Sequence, residues 1–113
     1  MEAVEKEKVG RIRHLNDLLR CQGIGGQVMV TAGLDAFGEE TVRGVIREIA
    51  AFTAFTEDND PHGEHDCAIL TVGDHRILWK IDYFDNDLRC HSPDASDPRV
   101  TKRVMTVMFA DEY

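Results

Sequence analysis

Two apolar segments joined by a short glycine-containing connection place the strongest constraint on the fold. Cys67–Val72 and residues 76–84 are rich in β-branched and aromatic side chains, which favour strands. Gly73-Asp74-His75 between them has the composition of a hairpin connection. Alternate residues of a strand project to the same side, and the more apolar set here is Ile77, Trp79, Ile81 and Tyr83. The sequence therefore predicts an antiparallel hairpin with that set facing the core.

Two earlier segments have the three- and four-residue apolar spacing of amphipathic helices. Residues 4–22 form the first, and glycines at positions 23, 25 and 26 suit a helix end and a turn. Residues 28–31 then have the β-branched bias of a short strand. Residues 38–54 form the second helix, with Glu39 and Glu40 in its first turn, where carboxylates suit the helix dipole. An extended chain is the alternative for residues 50–56, which are rich in Phe and Thr and contain no glycine or proline to mark the helix end.

A third helix is predicted near the end of the sequence. Asp97 followed by Pro98 resembles an N-cap with proline at the first helical position. The predicted apolar stripe consists of Val100, Val104, Val107 and Met108, widened by Met105 and Phe109. Its first turns carry three cations, Arg99, Lys102 and Arg103. Because positive charge is unfavourable at a helix N-terminus, we expect loop acids, rather than an external phosphate, to pair with them. The candidates are Asp58, Asp60, Asp85 and Asp87.

These elements predict an α+β fold. We expect one small domain of residues 1–113, in which an antiparallel hairpin-containing sheet packs with about three helices on one face. A length of 113 residues suits a single hydrophobic core.

The composition predicts a protein of the reducing cytoplasm. No apolar stretch approaches the roughly 20 residues that cross a bilayer, and residues 1–8 alternate in charge, unlike a signal peptide. The cysteines Cys21, Cys67 and Cys90 form no CxxC pair, and an odd count suits unpaired thiols. A nucleophilic Cys90 beside His91 is the less favoured alternative, because sequence neighbours seldom face each other productively.

The net charge of −8 is concentrated in one segment. Residues 57–97 contain 11 acids and 3 bases, whereas the rest of the chain contains 10 of each. A local negative field of this kind favours a basic partner and argues against direct binding of nucleic acid through this segment.

The densest polar motif is the run of residues 58–66. Its carboxylates suit Mg²⁺ or Ca²⁺, and two histidines with a carboxylate suit Zn²⁺ or Fe²⁺. The spacing does not match an EF-hand, because Ile69 stands where the twelfth-position glutamate is expected. One alternative is a loop ordered by its own side-chain to backbone bonds, with His65 donating to a neighbouring carboxylate. The other is acid–base chemistry by His65 with Glu64 or Asp66.

A second polar cluster lies on the predicted hairpin. Lys80 and Asp82 share one strand face, opposite to Trp79. We expect hairpin pairing to bring them toward residues 64–66 at one end of the sheet, although a solvated ion pair is the commoner outcome. The candidate functional residues are Asp58, Asn59, Asp60, Glu64, His65, Asp66, Lys80, Asp82 and Asp85. The candidate ligands for a divalent metal are Asp58, Asp60, Glu64, His65 and Asp82.

These motifs give the chain a resemblance to a bacterial family, domain of unknown function 3768. The resemblance rests above all on Asn59-Asp60-Pro61, Gly63-Glu64-His65-Asp66 and Trp79-Lys80-Ile81-Asp82-Tyr83. Further matching blocks begin at Arg11, Ser92, Arg103 and Glu112, so the similarity extends over nearly the whole chain. It implies no particular activity, cofactor or catalytic residue.

Three hypotheses about function follow. The first is an interaction module whose acidic face, residues 57–97, binds a basic protein partner, with nucleic-acid mimicry as one form of that binding. The second is a metal-dependent enzyme, hydrolytic in type, that uses the residue 58–66 loop with Asp82. The third is a structural or regulatory subunit, for example a homodimer, in which the polar motif only orders a loop.

Overall fold

The structure is a computed structural model that describes residues 2–113. Its elements in chain order are α1 (Ala3–Gln22), β1 (Gly26–Val30), α2 (Ala32–Asp35), α3 (Glu39–Ala51), β2 (Cys67–Val72), β3 (His75–Phe84), β4 (Lys102–Phe109) and a final 3-10 turn (Ala110–Glu112). The α+β class predicted from the sequence is confirmed. In the part of the chain that the structure describes, no helix combines the length and the apolar character needed to cross a membrane.

The four strands form one mixed sheet in the order β1-β4-β3-β2. β2 and β3 form the predicted antiparallel hairpin, in which Ala68 lies opposite Trp79. β4 pairs antiparallel with β3 and parallel with β1. The last strand in the sequence therefore lies inside the sheet, and β1 and β2 are its edges.

The helices pack on one face of this sheet. Trp79, Ile77 and Val107 are fully buried in a cluster with Leu19 of α1 and Ile49 of α3. The core-facing set predicted for the hairpin is confirmed at its first three positions, and only its last member, at position 83, is partly exposed. Strand alternation and burial thus agree along most of β3.

The third predicted helix is wrong, because residues 102–109 form β4. Met105 and Val107 face the core in alternation, and the whole segment hydrogen-bonds between two strands. Asp97 accepts a bond from the backbone N–H of Arg99 at 2.9 Å, which closes a tight turn and does not begin a helix. Sheet pairing on both sides has outweighed an apolar spacing that also fits a helix.

The boundaries of the other elements follow local chemistry. α1 ends at Gly23, whose φ of 70° is left-handed and whose N–H reaches the carbonyls of the last turn. α3 ends at Ala51, and the chain continues extended from Phe52, in agreement with the extended alternative for this segment. The short helix α2 was not predicted from the sequence; the side chain of its N-cap, Thr31, accepts a bond from the N–H of Leu34.

Candidate functional site

The polar loop between α3 and β2 is ordered by its own side chains. Oδ1 of Asn59 accepts a bond from the N–H of Thr56 at 2.8 Å, and Nδ2 of Asn59 donates to the carbonyl of Ala54 at 2.9 Å. Asp60 is buried, and its Oδ1 accepts a bond from the N–H of His65 at 3.1 Å. His65 adopts a left-handed φ of 56°, which turns its side chain back toward α1. The loop is therefore built around Asn59 and Asp60.

His65 joins this loop to α1. Its Nδ1 lies 2.9 Å from Oδ1 of Asp17, and its Nε2 lies 3.7 Å from Oδ2 of Asp60. The imidazole also stacks on Phe55, with ring centroids 3.7 Å apart and planes within 7°. The carboxylate predicted to receive a bond from His65 is thus supplied by α1, from a residue distant in the sequence.

Arg20 extends the same network into the core. Its Nη2 donates to Asp17 at 3.0 Å, and its Nη1 donates to the carbonyls of Ile49 and Phe52 at 2.7 and 3.0 Å. These carbonyls lie at the C-terminal end of α3, where the helix dipole favours a cation. A buried guanidinium with these partners satisfies groups that would otherwise be orphaned at that helix end.

A second buried network ties α1 to β3 and β4. Asn16 is fully buried; its Nδ2 donates to Oη of Tyr83 at 2.7 Å and to the carbonyl of Glu64 at 3.0 Å. Oη of Tyr83 in turn donates to Oε1 of Glu64 at 2.7 Å. Nε of Arg103 donates to Oδ1 of Asn16 at 2.8 Å, and its guanidinium lies 5.1 Å from the Tyr83 ring centroid. Burial, and then the bond to Glu64, raise the pKa of Tyr83 far above its usual range.

Four residues of these networks were not among the predicted site residues: Asn16, Asp17, Arg20 and Arg103. One signal was present, since Asn16 lies on the same helical face as Ile12 and Leu19, where a polar side chain is unusual. A buried polar residue on an apolar face normally has hydrogen-bond partners. The burial of Arg103 was not predicted, because its segment was expected to form a helix and not a strand.

An open cavity of about 360 Å³ lies at the edge of β3, close to these networks. It exists because β2 begins at Cys67, opposite Lys80, whereas β3 continues to Phe84. Ser92 donates to the carbonyl of Tyr83 at 2.9 Å and closes the far end of the gap. The lining residues are Asp66, Ile81, Asp82, Tyr83, Phe84, Arg89, Cys90 and His91. We call this feature the β3-edge cavity.

Asp66 gives the β3-edge cavity its electrostatic character. Burial raises the pKa of Asp66, and the neighbouring carboxylates of Glu64 and Asp60 raise it further. Among residues 2–113, Asp66 has no ion-pair partner. Asp82, the other carboxylate in the lining, pairs with Lys80. Asp66 therefore carries its charge in the cavity without a direct ion pair.

The candidate residues fall into separate groups. Asp66, Asp82 and Lys80 come together at one end of the sheet, as expected from hairpin pairing. Asp85 accepts a bond from the N–H of Arg89 at 3.0 Å and orders the next turn. The five candidate metal ligands are divided among the exposed Asp58, the internal Asp60, Glu64 and His65, and the Lys80-paired Asp82. Within residues 2–113, no three His, Cys, Asp or Glu side chains are grouped so that they could hold a metal ion.

The acids of residues 57–97 differ in their exposure. Four are exposed, at three places in the sequence: Glu57 and Asp58, Asp74, and Asp87. Asp94 and Asp97 bond to their own turns, and those bonds hold their pKa values below the usual range. The expected pairing of loop acids with the cations at 99–103 is wrong: Arg99 pairs with Asp97, and Arg103 is buried on Asn16. These cations lie on a turn and a strand, so they have no helix N-terminus to compensate.

The three cysteines are free thiols. Cys21 and Cys90 are exposed, and Cys67 is partly buried, which raises its pKa. Cys90 and His91 both line the β3-edge cavity.

Comparison with known proteins adds one finding. Neither the curated proteins nor the solved structures contain a match to this chain. A family model described as "Protein of unknown function (DUF3768)" matches residues 30–112, which include three of the four strands and the polar loop. The matched region covers most of the 113 residues. The chain therefore belongs to the DUF3768 family.

Proposed function

We propose that this protein is an interaction module that receives a cationic side chain of a basic protein partner in the β3-edge cavity. The observation that carries the proposal is the state of Asp66, a half-buried carboxylate with acidic neighbours and no ion-pair partner among residues 2–113. An arginine or lysine entering the cavity would stabilise the ionised form of Asp66. Surfaces that normally bind nucleic acid are one class of such partners.

The surroundings of the cavity support a partner of this charge. Asp85 and Asp87 follow directly after the end of β3, and the whole chain carries a net charge of −8. Long-range attraction would increase the rate of encounter, and the cavity would select where the cation binds. Among the described residues of the lining, the two carboxylates Asp66 and Asp82 outnumber the one cation, Arg89.

A charge-matched pair of variants tests this proposal. A fluorescently labelled oligo-arginine peptide is titrated by anisotropy into the wild type, Asp66→Asn and Asp74→Asn. Both variants remove one negative charge, but Asp74 is exposed in the hairpin turn, away from the cavity lining. We expect Asp66→Asn to weaken binding by roughly fivefold or more, and Asp74→Asn to leave it nearly unchanged.

Equal weakening in the two variants would show that the peptide responds only to net charge, and it would overturn the proposal. A salt series gives a second readout. Attraction through exposed acids is screened over roughly 8 Å at physiological ionic strength, so added salt should weaken wild-type binding.

A further inference from the structure

The sheet face opposite to the helices carries an apolar stripe. Along β4, Val104, Thr106 and Met108 project to this side, because the alternate residues Met105 and Val107 lie in the core. Register places Leu78 opposite Met108, and Met29 opposite Thr106. Ile69 of β2 extends the row beyond Leu78. We call this surface the open sheet face.

Three observations distinguish the open sheet face from an ordinary solvated one. Met29 and Ile69 are 53% and 47% exposed, although both are large apolar side chains. Leu78 and Met108 are 4% and 5% exposed, yet they lie outside the core cluster. The uninterrupted apolar runs in β3 and β4 break the polar–apolar alternation of a half-solvated strand and are typical of strands covered on both faces.

The charge of this face is opposite to that of the whole protein. Arg76, Lys80 and Lys102 share it with one carboxylate, Asp82, which already pairs with Lys80. The chain as a whole has a formal net charge of −8. Two copies placed face to face would bring like charges together, so a second copy is a poor occupant.

We infer that the open sheet face binds an acidic amphipathic helix of a protein partner. The apolar side of such a helix would lie along β4 over Met108 and Val104, with its carboxylates toward Arg76 and Lys102. A helix in this position would complete a three-layer arrangement, in which helices cover both faces of a sheet. This binding surface meets the β3-edge cavity at Asp82, but it does not include Asp66, and it has the opposite charge preference.

The test uses three synthetic peptides of about 18 residues, long enough to form a helix. The first places Leu and Glu at helical spacing, the second has the same composition in scrambled order, and the third replaces Glu by Lys. Titration calorimetry with the wild type should show the patterned Leu–Glu peptide binding at least about tenfold more tightly than its scrambled form. Binding of a negatively charged peptide to a protein of net charge −8 cannot be attributed to the overall field.

Matched variants test whether the patterned peptide binds at the open sheet face. Ile69→Asp and Lys102→Glu should each weaken the patterned peptide by about fivefold to tenfold. Ile24→Asp is the control, because Ile24 is 52% exposed in the loop between α1 and β1, outside the strands. Circular dichroism confirms that each variant is folded.

Three results would overturn the inference: equal affinity for patterned and scrambled Leu–Glu peptides, equal weakening by Ile69→Asp and Ile24→Asp, or tighter binding of the Leu–Lys peptide at this face. Sedimentation of the protein alone provides a fourth, because a concentration-dependent dimer that Ile69→Asp abolishes would assign the face to a second copy. None of these results bears on the response of Asp66→Asn to oligo-arginine.

Discussion

Nδ1 of His65 and Oδ1 of Asp17 lie 2.9 Å apart, and this contact joins the polar loop to helix α1. Because Asp17 also binds Arg20, and Arg20 binds the end of α3, the contact is one link in a chain from loop to core. The polar motif of residues 58–66, a candidate for metal binding or acid–base chemistry in the sequence, therefore makes hydrogen bonds within the protein.

His65→Ala should lower the free energy of unfolding by about 2–3 kcal/mol, since it removes a hydrogen bond to a carboxylate and an aromatic stack on Phe55. Urea denaturation measures the change. His62→Ala is the neighbouring control; His62 is exposed, and we expect a change within about 0.5 kcal/mol. Equal losses in the two variants would contradict the assigned role of His65.

Tyr83→Phe should destabilise the fold by about 1–3 kcal/mol, because Asn16 and Glu64 each lose a partner in a buried setting. Thermal unfolding followed by circular dichroism gives the measurement. Tyr113→Phe removes the same hydroxyl from an exposed residue and should leave the melting temperature unchanged. A neutral result at Tyr83 would mean that water replaces the hydroxyl at no cost.

Asp66→Asn should raise the melting temperature at pH 7. The pKa of Asp66 is raised in the folded state, so the folded protein binds this proton more tightly than the unfolded chain does. Stability from this group is complete below its ordinary pKa and is lost as pH rises through the higher folded value. The advantage of the variant should therefore vanish near pH 3, where the carboxyl is protonated in both states. A variant that is less stable than the wild type at pH 7 would show that the carboxylate has a favourable internal partner.

Two glycine-to-alanine substitutions should change the free energy of unfolding in opposite directions. A Cβ at Gly26 would lie 2.5 Å from the carbonyl oxygen of Arg103, so Gly26→Ala should push β1 away from β4 and destabilise the fold by about 1–3 kcal/mol. Gly44 lies inside α3 with no atom within 4 Å of a Cβ, so Gly44→Ala should stabilise by about 0.5–1 kcal/mol. Denaturant midpoints compare the two variants, and a tolerated Gly26→Ala would imply that β1 pairs more loosely than its register indicates.

Local patterns in the sequence predicted most of the fold. Residues 4–22 and the hairpin carry an apolar period that admits one interpretation, and both appear as expected. Residues 100–109 admit two interpretations, because the apolar residues Val104, Val107 and Met108 fit one stripe of a helix as well as the two faces of a strand. Only the positions of β1 and β3 on either side decide between them, and those contacts are distant in the sequence.

The candidate site was predictable in its parts and not in its connections. The turn-forming role of Asn59 and the pairing of Lys80 with Asp82 follow from short-range chemistry. The partners Asp17 and Asn16 come from a helix more than 40 positions earlier, and no local spacing points to them. An unpaired carboxylate such as Asp66 is visible only once its surroundings are known.

The position of β4 in the sheet has a kinetic consequence. β1 precedes it by about two-thirds of the chain, since Gly26 pairs with Arg103, and neither β1 nor the inner side of β3 has a strand partner until β4 is in place. Contacts of such high sequence separation carry a large loop-closure entropy, which slows folding. The hairpin of β2 and β3 can form early and alone. The rate of folding should therefore depend on how quickly residues 102–109 pair with both β1 and β3.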